Sequence, residues 1–243
     1  MTYCVALKLD QGLVFMSDTR TNAGVDNIST FRKMKTWSDG DHSAITLMTA
    51  GNLATTQAVV SLIDERMKAP ADRTPSILGQ PSMFQVAMLV GKTLKEIIAR
   101  QAETGQRADS GFNATIILGG QVNGSEPRLF LIYPEGNFIE ASDDTPFFQI
   151  GETKYGRPIL VRAFSPEMTF EAAVKLLFVS FDSTIKSNLS VGMPLDLHIY
   201  SEGTFSEGLT RRIEATDTDF QTISDGWGDA LQHAFGHLPD VTL

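Results

Sequence analysis

Thiols are almost absent: Cys4 is the one cysteine in 243 residues. That excludes an internal disulfide framework and fits a reducing compartment. As a nucleophile Cys4 has little support, because it falls inside a strand pattern with no histidine near it in sequence. There is no basic block, and the formal net charge is −9, so a polyanionic partner such as nucleic acid is not expected. No run of about eighteen apolar residues occurs, which removes an apolar membrane-spanning helix. The amino-terminal stretch lacks a basic segment followed by a long apolar one, so no signal peptide is visible and a soluble, cytoplasmic protein is expected. Repeats, low-complexity tracts and convincing domain boundaries are missing too. With 42% hydrophobic residues the chain can bury a sizeable core, and residues 1–243 are expected to form a single domain.

What is present concentrates in the first fifty residues. Tyr3 to Leu9 alternates as a strand, Asp10-Gln11-Gly12 is a turn signal, and Leu13 to Asp18 returns as a second strand. Folding symmetrically about Gln11 sets residue 2 opposite residue 20 and residue 4 opposite residue 18, making Thr2 and Asp18 diagonal neighbours. Gly24 permits a tight reversal, and Arg32-Lys33-Met34 opens a further extended segment that returns a basic side chain to the same place. Thr46 to Gly51 is another strand, followed by Asn52 and a helical pattern.

A threonine at position 2 carries its own chemistry. Aminopeptidases that remove initiator methionine favour a small second residue, so a mature chain beginning at Thr2 is expected. Nucleophile and base then sit in one residue: the hydroxyl attacks, and an α-amine with a reference pKa of about 7.7–8 takes the proton. Lys33 would favour the neutral amine, Asp18 would keep that lysine charged, and the Gly51 N–H would donate to a developing oxyanion. Each residue also has a plainer reading. Asp18 with Arg20 makes an ordinary cross-strand ion pair, Lys33 a solvated strand end, and Gly51 a helix-entry glycine.

Taken together, Thr2, Ser17-Asp18-Thr19-Arg20, Ala23-Gly24, Arg32-Lys33-Met34 and Thr49-Ala50-Gly51 resemble the proteasome β-subunit family of N-terminal-nucleophile hydrolases. Within it the likeness is to the bacterial Anbu group, whose chains begin Met-Thr without a propeptide. The resemblance implies an α+β fold, a four-layer αββα sandwich of two stacked, mainly antiparallel sheets flanked by helices. It implies catalytic roles for Thr2, Asp18, Lys33 and Gly51, and a peptide-binding groove between Asn22 and the segment at Gly51. Thr21, Thr49 and Leu53 would line its side-chain pocket. It also implies homo-oligomeric assembly into a ring or ring-like stack, with an unfoldase as an open question, and neither metal nor cofactor.

Two places depart from the family pattern. Where a Gly-Ser-Gly is expected, with a serine that supports the threonine amine, the chain reads Gly151-Glu152-Thr153, so that Glu152 or Thr153 stands in the serine's place. Where Asp-x-x-Ser-Gly is expected, it reads Ser187-Asn188-Leu189-Ser190-Val191-Gly192; Ser190 matches the serine, but Ser187 stands at the aspartate. Ser190 is retained as a supporting hydrogen-bonding residue.

The rest of the chain reads as alternating element types. Helical patterns cover Ala54 to Met67, Met83 to about Glu103, a segment beginning at Ser165 to Thr169, and Phe220 to about Phe235 after an Asp217 cap. Between the first two helices, Lys68 to Pro81 is a proline-rich connection, and Gly105 to Gly111 breaks the second. Strand patterns cover Asn113 to Leu118, Arg128 to Tyr133, Asn137 to Ala141, Phe147 to Ile150, Leu195 to Tyr200 and Leu209 to Glu214. Gly151 to Pro158 has the glycine spacing of a phosphate loop but lacks its Lys-Ser/Thr pair, so nucleotide binding is rejected. His233 and His237 share a helical face without a third ligand, and read as helix-end histidines rather than a metal site. Phe220, Trp227 and Phe235 read as core or subunit contact.

The expected activity is peptide-bond hydrolysis on peptide or unfolded protein through an acyl-enzyme. Its rivals are an amidohydrolase acting on a small non-peptide amide, and a catalytically weak ring or scaffold subunit.

Overall fold

The computed structural model describes residues 2–22, 28–68, 76–104 and 111–242. Met1, the Ala23-Gly24 reversal and most of both inter-element breaks (69–75 and 105–110) lie outside them.

Two five-stranded sheets, antiparallel throughout, form the centre. The first runs β10(Phe147–Gly151), β1(Tyr3–Leu9), β2(Gly12–Asp18), β11(Leu195–Ser201), β12(Leu209–Ile213). The second runs β5(Met34–Ser38), β6(Ser43–Gly51), β7(Ala114–Val122), β8(Arg128–Ile132), β9(Phe138–Glu140). A small ribbon of β3(Arg20–Asn22) and β4(Ile28–Thr30) stands beside them. The helices are α1(Leu53–Lys68), α2(Met83–Thr104), α3(Arg157–Ala163), α4(Phe170–Ser187) and α5(Thr218–Gly236).

Alternation along the strands builds the layers. In β1 and β2, Tyr3, Val5, Leu7, Val14 and Met16 pack under α3 and α4, while Cys4, Ala6, Leu13 and Phe15 face the other sheet. In β6, Ile45 and Leu47 pack under α1 and α2, while Ala44, Met48 and Ala50 join the layer between the sheets. The result is helices, sheet, sheet, helices: the αββα sandwich that the sequence led us to expect. Because both faces of each sheet are covered, the central strands read as nearly unbroken apolar runs, and β2 is buried at every position.

The helix ends follow local chemistry. Asn52 Oδ1 accepts from the Thr55 N–H (3.0 Å) at the start of α1, and Ser82 Oγ from Gln85 N–H (3.3 Å) at the start of α2. Thr169 caps α4 through the Ala172 N–H, and Asp217 caps α5 through the Phe220 N–H. The sequence reading missed α3, a helix of 7 residues with Pro158 in its first turn. Phe220 packs on Phe178 (centroids 5.3 Å apart), whereas Phe235 is exposed, so those two aromatics have different surroundings.

The β1–β2 register needs correction. Cys4 lies opposite Ser17 and Leu9 opposite Gly12, one residue from the pairing expected about Gln11. The connection is the two-residue turn Asp10-Gln11, and Gly12 opens β2 at φ +146°, where a Cβ would sit 2.0 Å from the Tyr200 carbonyl oxygen. Thr2 and Asp18 are therefore not diagonal neighbours in the way first inferred.

Candidate active site

The corrected register brings Asp18 to β1 by another route. Its carboxylate Oδ1 accepts directly from the Tyr3 backbone N–H at 2.9 Å, one peptide away from Thr2. The same oxygen accepts from Lys33 Nζ at 2.6 Å, and Oδ2 accepts from the Gly192 N–H at 3.4 Å. Lys33 Nζ also donates to the Arg20 carbonyl at 2.6 Å. Four chain segments thus meet at one carboxylate: the start of β1, the end of β2, the residue before β5 and the loop at Gly192.

This pair is buried: the side chains of Lys33 and Asp18 are 6% and 0% exposed. Burial pushes the Asp18 carboxyl above its ordinary range, against the Lys33 charge and the Tyr3 and Gly192 donors. A solvated strand end is thereby excluded for Lys33. The Asp18–Arg20 ion pair does not form either; the Arg20 guanidinium donates to the Leu189 carbonyl at 2.7 Å and lies against Gly192.

Gly51 is more than a helix-entry residue. Its φ is +118°, and a Cβ there would sit 2.4 Å from the Asn113 carbonyl oxygen. The ladder fixes where its N–H points. Asn52 N–H donates across to Asn113 O, while Thr49 N–H donates the opposite way to Lys33 O. Successive N–H groups alternate sides in an antiparallel strand, so the Gly51 N–H is directed like that of Thr49, toward the Lys33 side.

A cleft of about 940 Å³ opens there, and Thr2, Lys33, Gly51, Thr21, Thr49 and Leu53 all line it. Asp18 lies beneath it, fully buried. Asn22 closes β3 opposite Ile28. Six of the nine residues singled out in the sequence thus share one cavity, from elements as distant as β1, β3, β6 and α1. Among the described residues no group of three or more His, Cys, Asp or Glu side chains is arranged to hold a metal ion. No helix among them is long and apolar enough to cross a membrane.

Ser190 is placed differently. Its backbone N–H donates to Asn188 Oδ1 (3.0 Å), and its hydroxyl makes no hydrogen bond among the described residues. Ser187, at the position where an acid was expected, folds its hydroxyl back on Ser183 O (2.7 Å) as a helix-end residue.

Sequence reasoning underweighted Glu152. It lies just after β10, which pairs Gly151 with Tyr3, and its N–H donates to the Thr2 carbonyl at 2.6 Å. Its side chain is turned inward: the residue is only 6% exposed, Oε1 accepts from Lys154 N–H (2.7 Å) and Oε2 from Asn188 Nδ2 (2.9 Å). The one signal for it in the sequence was a carboxylate standing where a serine belonged.

The family model described as proteasome subunit matches residues 2–197. No curated protein matches the chain. Among solved structures, the chain is similar to Anbu (ancestral beta-subunit) from Yersinia bercovieri, with 46% identity, a TM-score of 0.93 and 100% of each chain covered. Anbu from Hyphomicrobium sp. strain MC1 shares 48% identity over 100% of both chains with a TM-score of 0.92. The Anbu complex from Pseudomonas aeruginosa, solved as a helical assembly, shares 42% identity over 99% of this chain and 98% of that one, with a TM-score of 0.93.

Proposed function

The chain belongs to the proteasome-subunit family, with full-length structural relatives in the Anbu group, and from that premise we infer a threonine-type peptidase with Thr2 as its nucleophile. One observation carries the inference. A buried lysine–aspartate pair, 2.6 Å apart, is tied to the peptide that follows Thr2, in a cleft lined by Thr2 itself. Burying two charges at the first strand of a fold is expensive unless they are paired and hydrogen-bonded. Here the pair stands where it sets the electrostatics of residue 2.

Loss of Met1 frees the α-amine. Lys33, kept charged by Asp18, disfavours a second positive charge beside it and so holds part of the amine neutral near pH 7. The amine takes the proton as the Thr2 hydroxyl adds to the peptide carbonyl, and the Gly51 N–H donates to the oxyanion. Collapse breaks the C–N bond, the ammonium returns its proton to the leaving amine, and an ester to Thr2 remains. Water, deprotonated by the same amine, hydrolyses that ester and releases the second product.

An extended substrate fits between β3, ending at Asn22, and the end of β6 at Gly51, pairing as an added strand. Thr21, Thr49 and Leu53 line the cleft beside Thr2 and suit a small-to-medium, mildly apolar side chain. By the same reading the protein assembles with copies of itself into a ring or ring-like stack, in line with the helical assembly of the Pseudomonas aeruginosa relative.

The test is a fluorogenic peptide panel with the mature chain and its Thr2→Ala variant. The reading expects cleavage after small or medium apolar residues, abolished in the variant. Cleavage of small amides alone would move the assignment to an amidohydrolase. Turnover that survives Thr2→Ala would remove Thr2 from the mechanism.

A further inference from the structure

Glu152 is a buried carboxylate with two neutral hydrogen-bond donors, Lys154 N–H and Asn188 Nδ2, and among the described residues it makes no ion pair. A carboxylate this far from water is costly when no cation answers it. Its position says where a cation would come from. The Glu152 N–H grips the Thr2 carbonyl at 2.6 Å, and Gly151 packs so closely that a Cβ on it would lie 3.1 Å from the Thr2 Cβ. Glu152 thus stands beside the residue whose backbone nitrogen becomes an ammonium once Met1 is removed, with its carboxylate turned inward.

We propose that Glu152 is the positioning residue for the Thr2 α-amine, accepting a hydrogen bond from it and supplying the negative charge that Ser187 does not. This rests on Thr2 being the nucleophile. Asn188 locks the carboxylate from the end of α4, and the same Asn188 holds the Ser190 N–H, so the loop after α4 serves the amine through Glu152. In the reaction Glu152 acts on the amine as a buried carboxylate acts on a catalytic imidazole, orienting it and stabilising the cation formed when it takes the hydroxyl proton.

The surrounding charges are few. Tyr3 on β1 carries a hydroxyl whose pKa is pushed up to about 12, chiefly by burial, and is neutral throughout the working range. Lys33 and Asp18 lie on the β2 and β5 side, and Arg20 is held at the 189–192 loop. Lys154 and Arg157, on Glu152's own side, are exposed and face water. Lys33 and Glu152 therefore act on the amine in opposite directions: the lysine lowers its pKa and the glutamate raises it.

Glu152→Gln keeps the shape and removes the charge, so the amine pKa falls. An opposite charge within about 4–6 Å is worth roughly one to three pK units, and beside an open cleft the lower end applies, about one unit. The α-amine is titrated without any substrate by periodate, which cleaves the Cα–Cβ bond of an N-terminal threonine only through its free, unprotonated amine. Product is read by intact mass, and wild type and variant are compared at each pH. The expected result is a titration about one unit more acidic in Glu152→Gln, restored in part by Glu152→Asp. Where peptides are cleaved, the ascending limb of kcat/KM moves the same way and kcat falls about tenfold per unit with KM little changed. Coincident titrations of wild type and Glu152→Gln would overturn the proposal even if peptides are cleaved. A shifted titration without peptide cleavage would sustain it and count against the peptidase reading. A chain that retains Met1 would overturn both.

Discussion

Replacing Asp18 with asparagine isolates the electrostatic claim, because the side-chain oxygen that accepts from the Tyr3 N–H can be kept while the charge facing Lys33 is lost. Lys33 would then be a buried ammonium, 6% exposed, with the Arg20 carbonyl as its remaining acceptor besides a neutral amide. Removing one partner of a buried ion pair costs about 3–5 kcal/mol. For a chain of this length each kcal/mol moves Tm by about 2–4 °C, so a drop on the order of 10 °C is expected. Scanning calorimetry at pH 7 reads it directly. Adding Lys33→Met to Asp18→Asn should recover much of the stability, because the orphaned charge is gone, while hydrolysis stays lost. A single variant that melts with the wild type and still cleaves peptides would refute the buried pair as the device that tunes residue 2.

Strain, burial and packing elsewhere around Thr2 have measurable consequences too. Gly151→Ala places a Cβ 2.0 Å from the Thr2 carbonyl oxygen at φ +83°, so it should cost about 2–4 kcal/mol in chemical denaturation and reduce turnover more than Gly136→Ala, which is strained at φ +85° but outside the residues that line the cleft. Tyr3 is neutral in the fold up to about pH 12, against 10 in the unfolded chain, so the folded state holds one more proton between those values. Stability should therefore fall as pH rises from 10 toward 12, by about 2–3 kcal/mol, and Tyr3→Phe should lack that component in urea titrations at pH 9 and 11. Cys4 is fully buried with its thiol pKa pushed up by burial, so iodoacetamide at pH 8 should alkylate it in urea but not in the native protein; rapid native labelling would contradict the packing between the sheets.

Much of the architecture was readable because it is local. Short apolar runs between turn residues marked the strands, and Asn52, Thr169 and Asp217 marked helix starts through their capping oxygens. What the sequence hid depends on distance. Whether Asp10-Gln11-Gly12 turns about one residue or two decides every partner of β1, and only the folded sheet settles it. His198, which has no partner near it in sequence, bonds Thr46 across 152 positions and the Glu207 carbonyl. The cleft shows both cases: Thr2, Lys33 and Gly51 were legible as residue types in order, while Glu152 became meaningful only once β10 was seen beside Thr2. The α3 helix was lost among residues that resemble a phosphate loop; it is short, and the tertiary packing of Leu160 against the β1 side holds it more than any propensity.

The central claim is that the hydroxyl and the amine of Thr2 act as one unit, and a threonine-directed epoxyketone needs both, one to add to its ketone and the other to open its epoxide. Intact-mass analysis of the purified protein before and after exposure should show a chain without Met1 that gains one inhibitor molecule, and no gain in Thr2→Ala. A chain that has lost Met1 yet stays unmodified, or an adduct that persists in Thr2→Ala, would contradict the account.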